Sequence, residues 1–145
     1  MKVEYNNLYI HYIFTTTRRM PLIQPNHRER IEKYITGIVK NHNSKLYSIY
    51  ANPEHVHFLI SKSPDYGENE FAEIIADSTS KFINDNCLSK GIFGWQQSCS
   101  AFSVSKADVK KVCKYILNQP EHHKKHTFEE EYTEFINLYQ QTINP

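Results

Sequence analysis

Glycine and cysteine are scarce in this chain, and their scarcity excludes several classes of protein. Four glycines and six prolines in 145 residues are too few for a collagen-like or low-complexity chain. The three cysteines, Cys87, Cys99 and Cys113, form no CxxC pair, so neither a zinc ribbon nor a disulfide framework is expected. No signal peptide or long apolar run is found, and we therefore expect a reduced, cytoplasmic protein without a membrane segment.

A large excess of charge of one sign is also lacking. Seventeen lysines and arginines against 16 aspartates and glutamates give a net charge of +1, which argues against wholesale binding to polyanions. The charge is distributed unevenly, however, because residues 105–126 are rich in lysine and histidine while the last nineteen residues carry glutamates and no basic residue. With 39% hydrophobic residues, the composition predicts one globular domain spanning residues 1–145.

Hydrophobic periodicity predicts an alternation of strands and helices. The order β, α, β, β, α, β, α, α is typical of an α+β protein with a ferredoxin-like or RNA-recognition-type antiparallel sheet. We expect helices mainly on one face of this sheet, and further helices at the C-terminal end. The predicted strands are 8–17, 46–51, 56–61 and 101–105, and the predicted helices are 27–42, 71–83, 106–119 and 128–140, the last with Phe128, Tyr132, Phe135 and Tyr139 on its inner side.

Two histidines separated by one residue stand at the start of a predicted strand. Because side chains alternate between the faces of a strand, His55 and His57 should point the same way, with Val56 on the opposite face. Two imidazoles in this arrangement can share one metal ion. The triplet alone is nevertheless more typical of histidines that bind no ligand.

A second set of polar residues lies on the predicted helix over 106–119. Lys111, Tyr115 and Gln119 are spaced by four residues and should therefore occupy one helical face. The apolar stripe of the same helix lies elsewhere, which leaves the tyrosine on the polar side without a packing role. An exposed tyrosine is common in structural helices, so both interpretations stay open on this evidence.

Four blocks of sequence, in this order, resemble the single-tyrosine HUH transposases of small bacterial insertion sequences and their chromosomal relatives associated with repetitive extragenic palindromes. The resemblance extends over nearly the whole chain, although Ser98-Cys99-Ser100 stands where relatives often have Gly-Tyr-Gly. The blocks are HYIFTTTRRMPLI (11–23), PEHVHFLIS (53–61), WQ followed by AFSVS (95–105), and YILNQPEHH (115–123) with the acidic FEEEY behind it.

The resemblance implies a role for each matching residue. Tyr115 would be the nucleophile, while His55, His57 and Gln119 would bind a divalent metal, Mg²⁺ or Mn²⁺. The implied reaction cleaves single-stranded DNA to a 5′-phosphotyrosine with a free 3′-hydroxyl and rejoins strands by the reverse step. Imidazole ligands alone would also suit zinc or nickel.

The resemblance also implies partners. The substrate would be single-stranded DNA with hairpin ends, and family members act as dimers that commonly share their active sites. We expect Lys111, Lys114, His122 and His123 to contact DNA phosphates, although lysines on a helix are often merely solvated.

Two other functions compete with this one. A catalytically silent or domesticated module could bind palindromic DNA without cleaving it. A histidine-triad hydrolase is disfavoured because Leu59 occupies the position where its third histidine is needed.

Overall fold

The computed structural model describes residues 1–143, with residues 139–143 described by their backbone alone. Single 3-10 turns occur at Thr17–Arg19, Pro25–His27 and Lys106–Asp108. Within the part of the chain that is described, no helix combines the length and the apolar character needed to cross a membrane. The strands are β1 (Tyr9–Thr15), β2 (Lys45–Ala51), β3 (His55–Ser61) and β4 (Ser100–Val104), and the helices are α1 (Arg28–Asn41), α2 (Glu68–Asp85), α3 (Val109–Leu117), α4 (Gln119–His122) and α5 (Phe128–Ile143).

The four strands form one open antiparallel sheet in the order β2-β3-β1-β4. Strand β3 lies between β1 and β2, so the crossover through α1 spans one strand, as in the predicted ferredoxin-like arrangement. The central strands β1 and β3 are covered on both faces, since nearly every residue in them is buried. This explains their content of β-branched and aromatic residues. The predicted α+β fold is confirmed.

One face of the sheet carries the hydrophobic core beneath α1 and α2. Its centre is aromatic: the ring of Phe58 stacks on Tyr12 with centroids 5.3 Å apart and meets Phe14 edge-on at 5.1 Å. Helix α1 buries an isoleucine stripe here because its apolar residues recur with helical spacing. The side chains that fill the core from the helices are Ile31, Ile35, Ile38, Val39, Phe71, Ala72, Ile75 and Ile83.

The opposite face of the sheet carries helices α3 to α5 and the chemically active residues. Alternate residues of β1 and β3 project to this side, because successive side chains of a strand point to opposite faces. Histidines therefore line this face, at His11 on β1 and at His55 and His57 on β3, and all three are buried. The fold thus separates an aromatic core from a polar cluster by the thickness of one sheet.

The predicted helix over 106–119 is wrong in its bounds. Helix α3 begins only at Val109 and ends at Leu117, and Gln119 opens the separate short helix α4. The break falls at Asn118, because Pro120 has no amide hydrogen to extend the ladder of α3. Leu117, expected on the buried stripe, is consequently 62% exposed.

The other predicted elements are found within a few residues of their expected bounds. On α5, Phe128 is buried and Tyr132 and Phe135 are partly buried, as the inner stripe predicts. The side chain of Tyr139, the fourth residue of that stripe, lies outside the described residues.

Truncation of the central aromatic residue should test the core. We expect Phe58→Ala to lower the free energy of unfolding by about 3–5 kcal/mol, because it deletes a fully buried ring from a packed cluster. Ile92→Ala, at a position that is 89% exposed, should change it by less than about 0.5 kcal/mol. Urea unfolding followed by circular dichroism measures both. Equal losses in the two variants would contradict this account of the core.

Candidate metal centre and nucleophile

The HxH pair lies at the start of β3, beneath the junction of α3, α4 and α5. The side chains of His55 and His57 are fully buried, and their ring centroids are 5.0 Å apart. Both rings project from the same face of the strand, as their two-residue spacing predicts. They are therefore placed to act on one common ligand.

Tyr115 reaches this histidine pair from the last turn of α3. Its ring meets His57 edge-on with centroids 5.8 Å apart, and it also contacts His11, His122 and Phe135. The expectation of an unpacked tyrosine on the polar side of the helix is wrong, because α5 lies over this part of α3. The hydroxyl group is buried, and the side chains of Glu131 and Gln119 lie close enough to influence its pKa.

Gln119 is fully buried and lies within the same cluster. The helix break at Asn118 turns its side chain inward, where Oε1 is 2.8 Å from Nε2 of His123. The same oxygen accepts a hydrogen bond from Nδ2 of Asn52 at 3.3 Å, and that amide nitrogen is 3.2 Å from Nε2 of His55. The amide oxygen of Gln119 is therefore linked to His55 through Asn52, and the helix break that allows this was not predicted.

Glu131, on α5, is a site residue that the sequence did not reveal. Its carboxylate is 2% exposed, and Oε1 lies 2.6 Å from Nε2 of His57. The other oxygen, Oε2, lies 3.1 Å from Nε2 of His122 and 3.2 Å from Nε2 of His123. The acidic run FEEEY was visible in the sequence, but only helical phase relative to Phe128 distinguishes the glutamate that turns inward.

The donor set fits a divalent cation. One ligand atom each from His55, His57 and Glu131 lies within 4.8 Å of the other two, and all three side chains are buried. Nε2 of His57 and Oε1 of Glu131 approach each other closely, yet they are not aligned as a hydrogen bond. Two imidazoles and a carboxylate combine the nitrogen and oxygen donors that first-row divalent ions accept. The group can therefore bind a metal ion.

The electrostatics of the cluster follow from its burial. Burial is the main cause that lowers the pKa of His57 to about 4, and burial together with the neighbouring His57 lowers the pKa of His11 to about 3. Both rings are thus neutral and keep a lone pair. Burial opposes ionisation of Glu131, but its contacts with His123 and His57 outweigh this and hold the pKa of the carboxyl group well below its usual range.

The tyrosine is protonated in this arrangement. Burial first, and the negative charge of Glu131 second, raise the pKa of the Tyr115 phenol above its usual value. A phenol of this kind becomes a nucleophile only when its proton is removed or its developing charge is stabilised by a cation.

The first turn of α5 closes the cluster. The ring of Phe128 stacks on His55 with centroids 3.8 Å apart, and the guanidinium of Arg19 lies 5.6 Å from the centroid of the Phe128 ring. Further along the helix, Phe135 contacts the rings of Tyr115 and His11. The helix therefore separates the phenol from solvent.

The four predicted phosphate contacts fall into two groups. Lys111 and Lys114 are exposed on α3, where nothing prevents them from meeting a polyanion. His122 and His123 are only partly exposed, and both face Glu131. Their predicted contact with DNA requires the contacts to Glu131 to open.

Comparison with known sequences bears on this cluster. The family model of the IS200-like transposases matches residues 4–119, which contain the histidine pair, the tyrosine and the glutamine. The chain belongs to the IS200-like transposase family. It is thereby an enzyme of the tyrosine transposase type. No curated protein matched the chain.

Solved structures share the fold of this transposase. A protein from Deinococcus radiodurans R1 that is named as a transposase superposes with a TM-score of 0.62 at 17% identity, covering 82% of this chain and 96% of its own. A REP-associated tyrosine transposase bound to a REP hairpin superposes with a TM-score of 0.62 at 13% identity, covering 85% of this chain and 72% of its own.

Metal binding by the transposase should be measurable as a gain in stability. Mn²⁺ at about one hundred times its dissociation constant stabilises a folded protein by about 2.7 kcal/mol. We expect His55→Ala to abolish the rise in melting temperature that Mn²⁺ causes. His126→Ala should retain it, because His126 is exposed, pairs with Glu130 and packs beside His122, and is not one of the three candidate ligands. Equal rises in both variants would place the ion elsewhere.

Proposed function

We propose that this transposase cleaves and rejoins single-stranded DNA through a covalent 5′-phosphotyrosine on Tyr115, in a metal-dependent reaction. One observation carries the proposal: the buried phenol of Tyr115 lies against His57, within the cluster that can bind a cation. A tyrosine with only a packing role would not require two buried histidines and a carboxylate beside it, with polar atoms that make no aligned hydrogen bond.

The residues of the cluster would bind the cation. His55 and His57 would hold the cation through ring nitrogens, and Glu131, with Gln119 in the same cluster, would offer oxygen atoms. When bound, a divalent cation would act as a Lewis acid on the scissile phosphate. Mg²⁺ and Mn²⁺ both accept oxygen donors, and Mn²⁺ accepts the imidazoles more readily.

Tyr115 would be the nucleophile. Its phenolic oxygen forms a bond to phosphorus while the bond from phosphorus to the 3′ oxygen breaks, which leaves a free 3′-hydroxyl on the departing strand. The phenolic proton leaves through the cluster, and the departing 3′ oxygen takes up a proton to become the hydroxyl, so the step consumes and releases one proton. Because the phosphodiester is exchanged for a phosphotyrosine and not hydrolysed, a 3′-hydroxyl can later reverse the step without an energy source.

Helix α5 must move before this reaction can begin. Phe128 covers His55 and Phe135 contacts Tyr115, so a DNA strand has no path to the hydroxyl in the conformation described. The contacts of α5 with the site are aromatic at Phe128 and Phe135 and electrostatic at Glu131. A cation at the histidine pair would compete with His57 for the carboxylate of Glu131.

The DNA partner is inferred from the family and from the charge on α3. One solved relative is bound to a REP hairpin, and the corresponding partner here would be single-stranded DNA with hairpin ends. Lys111 and Lys114 are exposed on the helix that carries the nucleophile, and would neutralise phosphates of the strand.

A homodimer with shared active sites remains a prediction. In the structure Tyr115 meets the histidine pair of its own chain, so a second copy is not needed to complete the cluster. Exchange of the tyrosine helix between subunits would preserve the same contacts.

The alternative function is a catalytically silent module that binds palindromic DNA. The enclosed hydroxyl of Tyr115 is the observation that favours it, since an enclosed phenol cannot react. The two functions differ in one product, the covalent adduct.

The nucleophile can be tested on labelled single-stranded DNA that carries the flanking element ends. We expect a Mn²⁺-dependent covalent adduct on a denaturing gel with the wild-type protein and none with Tyr115→Phe, because only the phenolic oxygen can form the bond. Tyr34→Phe is a matched control, since Tyr34 stacks on Phe82 on the other side of the sheet and should leave the adduct intact. DNA binding by the wild type without any adduct would establish the silent module.

The lysines can be tested through the salt dependence of DNA binding. Replacing Lys111 and Lys114 together by glutamine should reduce the slope of log K against log salt by about 1.4, since each phosphate contact on a single strand contributes about 0.7. The same replacement of Lys33 and Lys40, which are exposed on α1 across the sheet, should leave the slope unchanged. An unchanged slope in the first variant would remove both lysines from the DNA surface.

A further inference from the structure

His11 is a buried histidine that the proposed chemistry does not use. It lies on β1 and is 2% exposed, and its Nε2 atom is 2.8 Å from Nδ1 of His57. Register explains the contact: His11 pairs with Leu59 on β3, which places His57 at the diagonal position on the same face. The hydrogen bond therefore joins His11, which is outside the candidate metal centre, to His57, which is inside it.

The two histidines of the HxH pair are held in the same way. Nδ1 of His55 is 2.8 Å from Oε1 of Glu54, and Nδ1 of His57 is tied to His11. In each ring Nδ1 is therefore occupied by a neighbour, while Nε2 faces the cluster, next to Asn52 for His55 and next to Glu131 for His57. Fixing one nitrogen of an imidazole sets the orientation of the ring and the atom left for a cation.

We infer that His11 is a positioning residue, which fixes the ring of His57 through Nδ1 so that Nε2 of His57 is presented to a cation. The inference rests on the proposed function in one respect, namely that His57 is a metal ligand. His11 itself touches neither the cation nor the DNA in this assignment.

The choice of a histidine at this position has a chemical reason. When Nε2 of His57 carries the proton and faces Glu131, Nδ1 of His57 must accept a hydrogen bond from His11. When Nε2 of His57 binds a cation, Nδ1 carries the proton and must donate it. Neutral imidazole can either donate or accept at Nε2 according to its tautomer, whereas a carboxylate only accepts and an ammonium only donates.

The surroundings of His11 hold its ring in place. Its centroid lies 5.6 Å from that of Phe135 and 6.4 Å from those of Phe102 and Tyr115. A phenylalanine at position 11 would keep this aromatic packing and lose only the hydrogen bond. A glutamine would keep a group that can both donate and accept. These two substitutions therefore separate the hydrogen bond from the packing.

The experiment titrates Mn²⁺ alone into the full chain and follows free Mn²⁺ by electron paramagnetic resonance. We expect His11→Phe to weaken Mn²⁺ binding by about 10- to 100-fold, the usual effect of losing the partner of a ligating histidine. His11→Gln should restore most of the affinity. His42→Phe is the control, since His42 bonds the Ile38 carbonyl and packs on Tyr66 across the sheet, and it should bind Mn²⁺ as the wild type does.

Two further measurements distinguish a failure of the positioning role from a failure of the metal centre itself. If His57→Ala abolishes Mn²⁺ binding while His11→Phe binds normally, the positioning role is overturned and the metal centre stands. If His57→Ala also binds normally, the metal centre of the proposed function is overturned. Should His11→Phe fail to fold, ¹⁵N-histidine spectra of the metal-free wild type decide: a nitrogen–nitrogen coupling across the hydrogen bond between the two rings supports the role, and its absence overturns it.

Discussion

The two-residue period of β3 is the constraint on which the rest of the structure depends. One seven-residue strand sends Val56 and Phe58 into the aromatic core and His55 and His57 to the opposite face. Because both faces are covered, the histidines are buried although they are polar. A shift of register by one residue would place the histidines in the apolar core and the apolar side chains among the polar cluster, so the packing energy of the core also fixes the site.

Burial gives the cluster its chemical character. In water the histidines would titrate near neutral pH and the carboxylate would be solvated. Under α5, the rings of His11 and His57 stay neutral, while Glu131 stays ionised because histidines surround it. Neutral nitrogens and an ionised oxygen are the forms in which these groups bind a cation. The same burial keeps the phenol of Tyr115 protonated. The candidate ligands are thus in their metal-binding forms, whereas the nucleophile is not yet in its reactive form.

Much of the fold and part of the site could be predicted from the sequence, because local patterns determine them. Strand alternation placed His55 and His57 on one face, and periodicity gave the helices of the core. The bounds of α3 could not be predicted in the same way. Pro120 predicted the end of a helix, but it did not predict that a break at Asn118 would turn the side chain of Gln119 inward. The packing of Tyr115 was missed because it depends on Phe135, a residue of the separate helix α5.

Local sequence patterns could not predict which residues join the site through tertiary contacts. Glu131 is one of three consecutive glutamates; its helical phase matches the inner stripe with Phe128, but only the docking of α5 brings it to His57. His11 reads as one residue of a β-type run, and its contact with His57 depends on the pairing of β1 with β3. Asn52, between His55 and Gln119, lies in a turn that carries no signal of a ligand. The role of each residue depends on contacts between elements that are distant in the sequence.

The claim that His55, His57 and Tyr115 form one centre is tested most directly by a crystal structure of the protein with Mn²⁺, with the ion located by its anomalous scattering. The account predicts a peak at about 2.0–2.3 Å from Nε2 of both histidines, a distance typical of such ligands, with the phenolic oxygen of Tyr115 facing the same cavity. A peak bound elsewhere on the chain, or an ion held by only one of the two histidines, would contradict it.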